Sequence, residues 1–397
     1  WKDYDWWMRV LERNATAAGL RSFKQLPDGD TVGTGGGNHI LFGGPTLDTN
    51  PLFKNPRWVT SLLRYWQHHP SLSYLFTGHY VGPSSQAPRP DESARDLYDL
   101  EMAYQFLEKL GSGDHRYLIS ETLRHLHTDA SGNTHRSEIS FDKFWSTGWN
   151  GGCRGLIEFR AIETMPKAEW MSAVALLWQA LAAMLFKPGC TKPLFEHGAR
   201  LHDHYFLPTL IWEDFTAVLA DLKKAGLRID RETFHAIWNW RFPRMLAFKN
   251  AGAELSIRKA HEGWPLLCET PLEGGSTSRF VDTSIERLEF IAGKQLALSH
   301  RIHVQGRELR LEKFPGGQFG AGLRYRRSAW YPSLHPGILM QVPLFVTLVR
   351  GKELYSYKLE QNSRAFIPVE FDPHFAKGGH VCKKLRPGLL TYDLRLP

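Results

Sequence analysis

The feature that most constrains the fold is a pair of short segments, 134–144 (THRSEISFDKF) and 155–163 (GLIEFRAIE), joined by the glycine-rich loop 146–154. In the first, Arg136, Glu138, Ser140 and Asp142 alternate with Ser137, Ile139 and Phe141. In the second, Glu158 and Arg160 alternate with Ile157, Phe159 and Ala161. A period of two sends successive side chains to opposite faces of a strand, so each segment predicts a strand with one apolar and one ionic face. Closed by the loop into an antiparallel hairpin, they can bring Arg136, Glu138, Glu158 and Arg160 onto one face. The pattern alone leaves two uses for that face: a solvated exterior with cross-strand ion pairs, or the floor of a site.

The flanking sequence decides what such a hairpin packs against. Residues 167–187 are apolar nearly all round (Met171, Val174, Trp178, Leu181, Leu185) and predict a buried helix laid on a sheet; the run 173–186 is too short for a membrane span and contains Gln179. Helical spacing also marks 3–20 (Trp7, Val10, Leu11, Ala15, Ala18), 55–69, 95–111, 117–127, 194–205, 209–225 and 231–240, with strands expected at 21–25 and 74–82. From about residue 251 the texture changes to short strand-like runs punctuated by glycine, proline and asparagine, at 254–257, 288–291, 301–304, 308–311, 322–326, 342–349 and 354–359. The expected architecture is therefore α+β: an antiparallel-sheet domain with packed helices over 1–250, then a β-rich, sandwich-like domain over 251–397.

Between 33 and 44 stand six glycines (Gly33, Gly35, Gly36, Gly37, Gly43, Gly44), with Asn38 and His39 emerging where the next apolar run starts. Glycine lets backbone N–H groups approach a ligand closely and cradle an anion, so Gly35, Gly36, Gly37 and Asn38 are candidate binding positions; a flexible turn is the plain alternative. The spacing is neither a dinucleotide fingerprint nor a P-loop. A second loop, 83–91, holds three prolines and one cation, Arg89, whose stiff setting suits a carboxylate or phosphate as well as an ordinary surface position.

Charge and cysteine usage narrow the classes further. Lys plus Arg outnumber Asp plus Glu by 49 to 41, a net charge of +8 that suits anionic ligands, yet no basic run stands beside an aromatic platform, so a nucleic-acid partner is not expected. The four cysteines form no CxxC pair, which argues against a disulfide framework or a cysteine zinc site and fits a reducing cytoplasm. His202 and His204, two apart on an expected helix, do not share a face. No secretory signal, membrane span or lipidation pattern appears, and a start at Trp1 inside an amphipathic helix suggests a piece of something longer.

Several stretches together resemble a known family: TVGTGGGNH (31–39), YWQHHPSLSYLFTGHYVGPSSQAPRPDE (65–92), GNTHRSEISFDKF (132–144), GLIEFRAIETMP (155–166) and WEDF (212–215). They look like the "putative amidoligase" domain at the C-terminal end of large bacterial transglutaminase-like proteins, related at a distance to the glutamine synthetase and glutamate–cysteine ligase fold. The resemblance implies an ATP-dependent carboxylate–amine ligase acting on an amino acid or peptide, with Mg²⁺ or Mn²⁺ bridging the ATP phosphates. It implies metal ligation by His39, Glu158 and Glu138, with the nucleotide at Gly35, Gly36, Gly37 and Asn38. Arg89 and Arg136 would be on substrate carboxylate or phosphate, and Arg160 on the developing phosphoryl charge. In such folds further glutamate ligands lie on strands before the glycine-rich segment, and the sequence starts after that place. Two alternatives stand beside the ligase expectation. One is a non-catalytic recognition module of a larger transglutaminase-like polypeptide. The other is a thiol enzyme using Cys153 with His135, for which a lone cysteine is slight support.

Overall fold

In a computed structural model, which describes residues 1–26, 29–34, 37–92, 96–271, 277–330, 333–375 and 379–397, the two organising segments pair antiparallel. Ile139 lies opposite Phe159 and Ser140 opposite Glu158, and the Arg160 N–H donates to the Glu138 carbonyl at 2.7 Å. Strand Ile40–Phe42 joins the other edge, with Leu41 opposite Glu158. The result is a three-stranded antiparallel sheet with Ile157–Phe159 at its centre.

Alternation on that central strand does the work expected of it. Phe159 enters an aromatic stack, 3.9 Å between ring centroids from Trp178 of helix Ala168–Phe186 and 5.6 Å from Trp66 of helix Pro56–His68, while the two indoles stack on each other at 4.1 Å. Offset stacks of this kind add about 0.5–1.5 kcal/mol per pair to the burial of the rings. They fix the strand in depth and rotation, and with it the neighbours Glu158 and Arg160. Helix Ala168–Phe186 is long and apolar enough to cross a bilayer, but most of it is buried inside the fold, as a core helix is. Helix Lys2–Ala17 lies against it, and Glu12 accepts the Ala168 N–H at 2.9 Å. The face that packs is not the expected one, since Trp7 and Leu11 are exposed.

Two other expectations are corrected. Residues 74–82 form no strand: after the short helix Ser71–Tyr74, the N–H groups of Leu75, Phe76 and Thr77 bond back to Ser71 and Ser73 carbonyls, and a 3-10 turn follows at Gly82–Ser84. Of 194–205 only Arg200–His204 is helical.

By contacts the chain forms two compact units, residues 1–24, 32–198 and 214–237 in the first, residues 25–31, 199–213 and 238–397 in the second. The second holds a six-stranded sheet, in which Phe319–Arg326, Ile285–Ala292, Ala253–Ala260 and Arg244–Asn250 run in that order, and a five-stranded sheet centred on Leu344–Arg350. Among the described strands of these two sheets pairing is antiparallel apart from Thr391–Asp393 beside Phe319–Arg326. Apolar side chains of both sheets, among them Ile257, Phe290, Leu323, Val346 and Leu348, share one core, which makes this unit the sandwich that the strand-like runs predict. The chain is thus α+β with antiparallel sheets.

One buried carboxyl in the sandwich unit carries a pH prediction. Glu289 accepts the Thr209 N–H at 2.9 Å and its hydroxyl at 2.9 Å, capping helix Pro208–Lys224. Burial pushes its pKa up to about 7 against those bonds and the charge of Arg258. A raised folded-state pKa means that its contribution to stability is complete below about 4.5 and is lost as pH rises through about 7. Glu289→Gln stays neutral, so in urea unfolding its stability relative to wild type should improve between pH 5 and pH 8.5 by roughly 3 kcal/mol at most, from 1.36 kcal/mol per unit. A constant difference across that range would refute this account.

Candidate functional site

The ionic residues of the hairpin are inside the protein. Arg136, Glu138 and Glu158 are 4%, 0% and 3% exposed, so the reading as a solvated exterior face fails. They divide into two groups.

The first group is centred on Glu158. Its Oε1 lies 2.9 Å from His39 Nδ1 and 3.3 Å from an Arg160 terminal nitrogen, and its Oε2 accepts from Lys143 Nζ at 2.9 Å. Burial alone would raise the pKa of this carboxyl; hydrogen bonds from His39 and Lys143 and the charge of Arg160 outweigh it and hold it at about 2. Three basic groups therefore converge on one carboxylate, an excess of positive charge that suits an incoming anion. Sheet pairing places His39, directly before strand Ile40–Phe42, beside the central strand. The glycine run contributes at Gly37, where a Cβ would fall 1.8 Å from His39 Nε2, so any side chain there would push the imidazole away. Asn38 donates its N–H to the Ile162 carbonyl at 2.8 Å. Gly35 and Gly36 lie outside the described residues.

The second group is sealed off from solvent. The Arg89 guanidinium donates to both Asp91 carboxylate oxygens (2.8 and 3.0 Å), to Ser73 Oγ (2.9 Å) and to the Gln67 carbonyl (2.9 Å). Ser73 in turn donates to Glu138 Oε2 at 2.5 Å. Burial, against the charge of Arg89, pushes the Glu138 carboxyl up to about 7. Arg136 donates to Asp129 Oδ2 and the Ser85 carbonyl, both at 2.9 Å, and to the Pro83 carbonyl at 2.5 Å, so that it ties the proline loop to the turn before the hairpin. The structure thus brings together His39, Glu158 and Arg160 of the expected residues, and sets Arg89 and Glu138 in a separate buried network.

Lys143 was not signalled by the sequence. Alternation assigns it to the apolar side with Phe141; instead the strand ends at Ser140 and the turn that follows swings Lys143 round to Glu158. The same turn walls a cleft of about 400 Å³ within this unit, with Arg124, His125 and His135 on its lining, Asp142 and Lys143 beside them and Trp149 from the glycine-rich loop. Lys143 belongs to both the cleft and the Glu158 centre.

A resident divalent metal does not fit these side chains. Among the described residues no three His, Cys, Asp or Glu groups stand together to hold one, and both Glu158 oxygens already face cations.

Residues 1–357 match the model of a protein family described as "Putative amidoligase enzyme (DUF2126)". No curated protein and no solved structure matches the chain.

Proposed function

The chain belongs to the family described as "Putative amidoligase enzyme", and from that premise we propose that it is an ATP-dependent ligase that joins the carboxylate of an amino acid or peptide to an amine. A carboxylate oxygen attacks the γ-phosphorus of ATP and ADP leaves. The amine nitrogen then attacks the acyl phosphate, inorganic phosphate departs, and the amine's surplus proton passes to solvent. The observation that carries this reading is the convergence of His39, Lys143 and Arg160 on the Glu158 carboxylate. Arg160 and Lys143 would bear against the transferred phosphoryl group, where fixed cations stabilise developing charge without reorganising. Glu158 would hold both cations in place, and the backbone at Gly37 and Asn38 would approach the nucleotide. Arg89, Arg136 and Glu138 act in this reading as positioning residues, because their partners are internal. Magnesium enters as a companion of the nucleotide phosphates. The glutamine-synthetase-like reading of the sheet belongs here too, resting on its antiparallel pairing and on His39 beside Glu158. A cytoplasmic setting suits the ATP requirement and four free cysteines.

A recognition module is the rival reading, favoured by the internal engagement of Arg89 and Arg136. Calorimetric titration of ATP with Mg²⁺ separates the two. The ligase reading expects saturable binding that weakens at least about tenfold in Lys143→Met, which is about 1.4 kcal/mol. Absence of binding to the wild-type chain favours the module.

A further inference from the structure

The cleft beside Lys143 has a lining of mixed sign. Lys143 reaches it with 30% of its side chain exposed, and Arg124, anchored to Ser146 and at 3.1 Å to Glu121, adds a second fixed cation. Between them in sequence stands Asp142, 18% exposed and 3.5 Å from His135. Burial acts to raise the pKa of Asp142, but hydrogen bonds from His135 and Thr134 keep it below the usual carboxylate range, so it is charged at neutral pH. One wall is aromatic. A Cβ at Gly151 would fall 1.9 Å from the Trp149 ring and one at Gly152 2.8 Å from its Nε1, so the indole rests on the backbone of its own loop and needs glycine there. Even so, Trp149 stays 49% exposed.

These features exclude some ligands and suit others. A polyphosphate would have to lie beside the Asp142 carboxylate, and like charges at close range cost binding energy. An α-ammonium next to an α-carboxylate carries the two signs the lining offers, and the aliphatic part of a side chain can lie against the indole. We propose that this cleft binds the zwitterionic end of an amino acid or short peptide, with the ammonium against Asp142 and the carboxylate toward Arg124 and Lys143. The assignment of that ligand as substrate rests on the ligase reading, with Lys143 linking the cleft to the Glu158 centre; the binding itself does not.

The test is ligand-observed NMR on the full chain with a mixture of the twenty free amino acids, and in parallel with the same mixture N-acetylated, which removes the positive charge. Expected is binding of at least one free amino acid, about tenfold weaker binding of its acetylated form, and loss of that discrimination in Asp142→Asn. The proposal is overturned if no free amino acid binds, if acetylated and free forms bind alike, if Asp142→Asn leaves the ratio unchanged, or if inorganic phosphate displaces the amino acid at lower concentration. The acetylation comparison needs no variant, so a misfolded Asp142→Asn would not rescue the idea. Zwitterion binding without ATP turnover sinks the ligase reading and leaves the site standing; ATP turnover without zwitterion binding does the reverse.

Discussion

Glu158→Gln is expected to abolish ATP turnover while leaving the protein folded. The substitution keeps the shape and one acceptor oxygen, but removes the charge that holds Lys143 and Arg160 where they meet. Those cations would then repel one another and lose their alignment, and misplacing charge stabilisation of this type costs about 10²–10³ in rate. Stability should fall by less than the ion pairs suggest. A carboxyl held at about 2 stabilises the fold only when ionised, so its contribution is present above about 4.5 and disappears as pH falls through about 2. At neutral pH that contribution amounts to roughly 3 kcal/mol at 1.36 kcal/mol per unit, part of which glutamine recovers by hydrogen bonding. Domains commonly have about 5–15 kcal/mol in hand. Phosphate release and thermal melting of both proteins give the answer, and the gap in stability should close as the pH is lowered toward 2. A variant that melts like wild type and turns over ATP at full rate would refute the central role of Glu158.

The hairpin and its consequences were legible because a strand has a strict period. Ile157, Phe159 and their polar neighbours sort to two faces whatever the rest of the chain does, and the aromatic stack on Phe159 follows from that. The strand-like runs after residue 251 were legible from a different signal, short apolar runs punctuated by glycine, proline and asparagine. What the sequence could not show is which polar residues are enclosed. Arg89 in a proline-rich loop looks equally suited to a ligand and to an internal carboxylate, and only the fold reveals that Asp91, two residues on, is its partner. Lys143 was hidden because the strand stops early and a turn reverses the parity on which the reading depended. Neither the cleft nor its Trp149 wall has a periodic signal, since both are built from turns brought together by pairing of distant strands.

Arg89→Met is expected to be the most destabilising single change in this unit, at roughly 3–5 kcal/mol, the usual cost of leaving one partner of a buried ion pair uncompensated. Its guanidinium is 1% exposed, and its charge lowers the pKa of both Asp91 and Glu138 in their hydrogen-bonded network. Burial acts to raise the Asp91 pKa, and the charge and hydrogen bonds of Arg89, with smaller contributions from His197 and Gln67, keep it low. Without Arg89 the largest part of that opposition is lost, both acids shift toward the protonated form, and the variant should regain part of its stability as the pH is lowered toward 5. Adding Asp91→Asn should restore part of the loss at neutral pH, because it removes a buried charge that has lost its partner. Urea unfolding of the single and double variants at pH 5 and pH 8 measures each term. The outcome also separates the two roles open to this arginine. A positioning role predicts the stability loss and its pH rescue, whereas direct contact with substrate predicts near-wild-type unfolding with a raised KM.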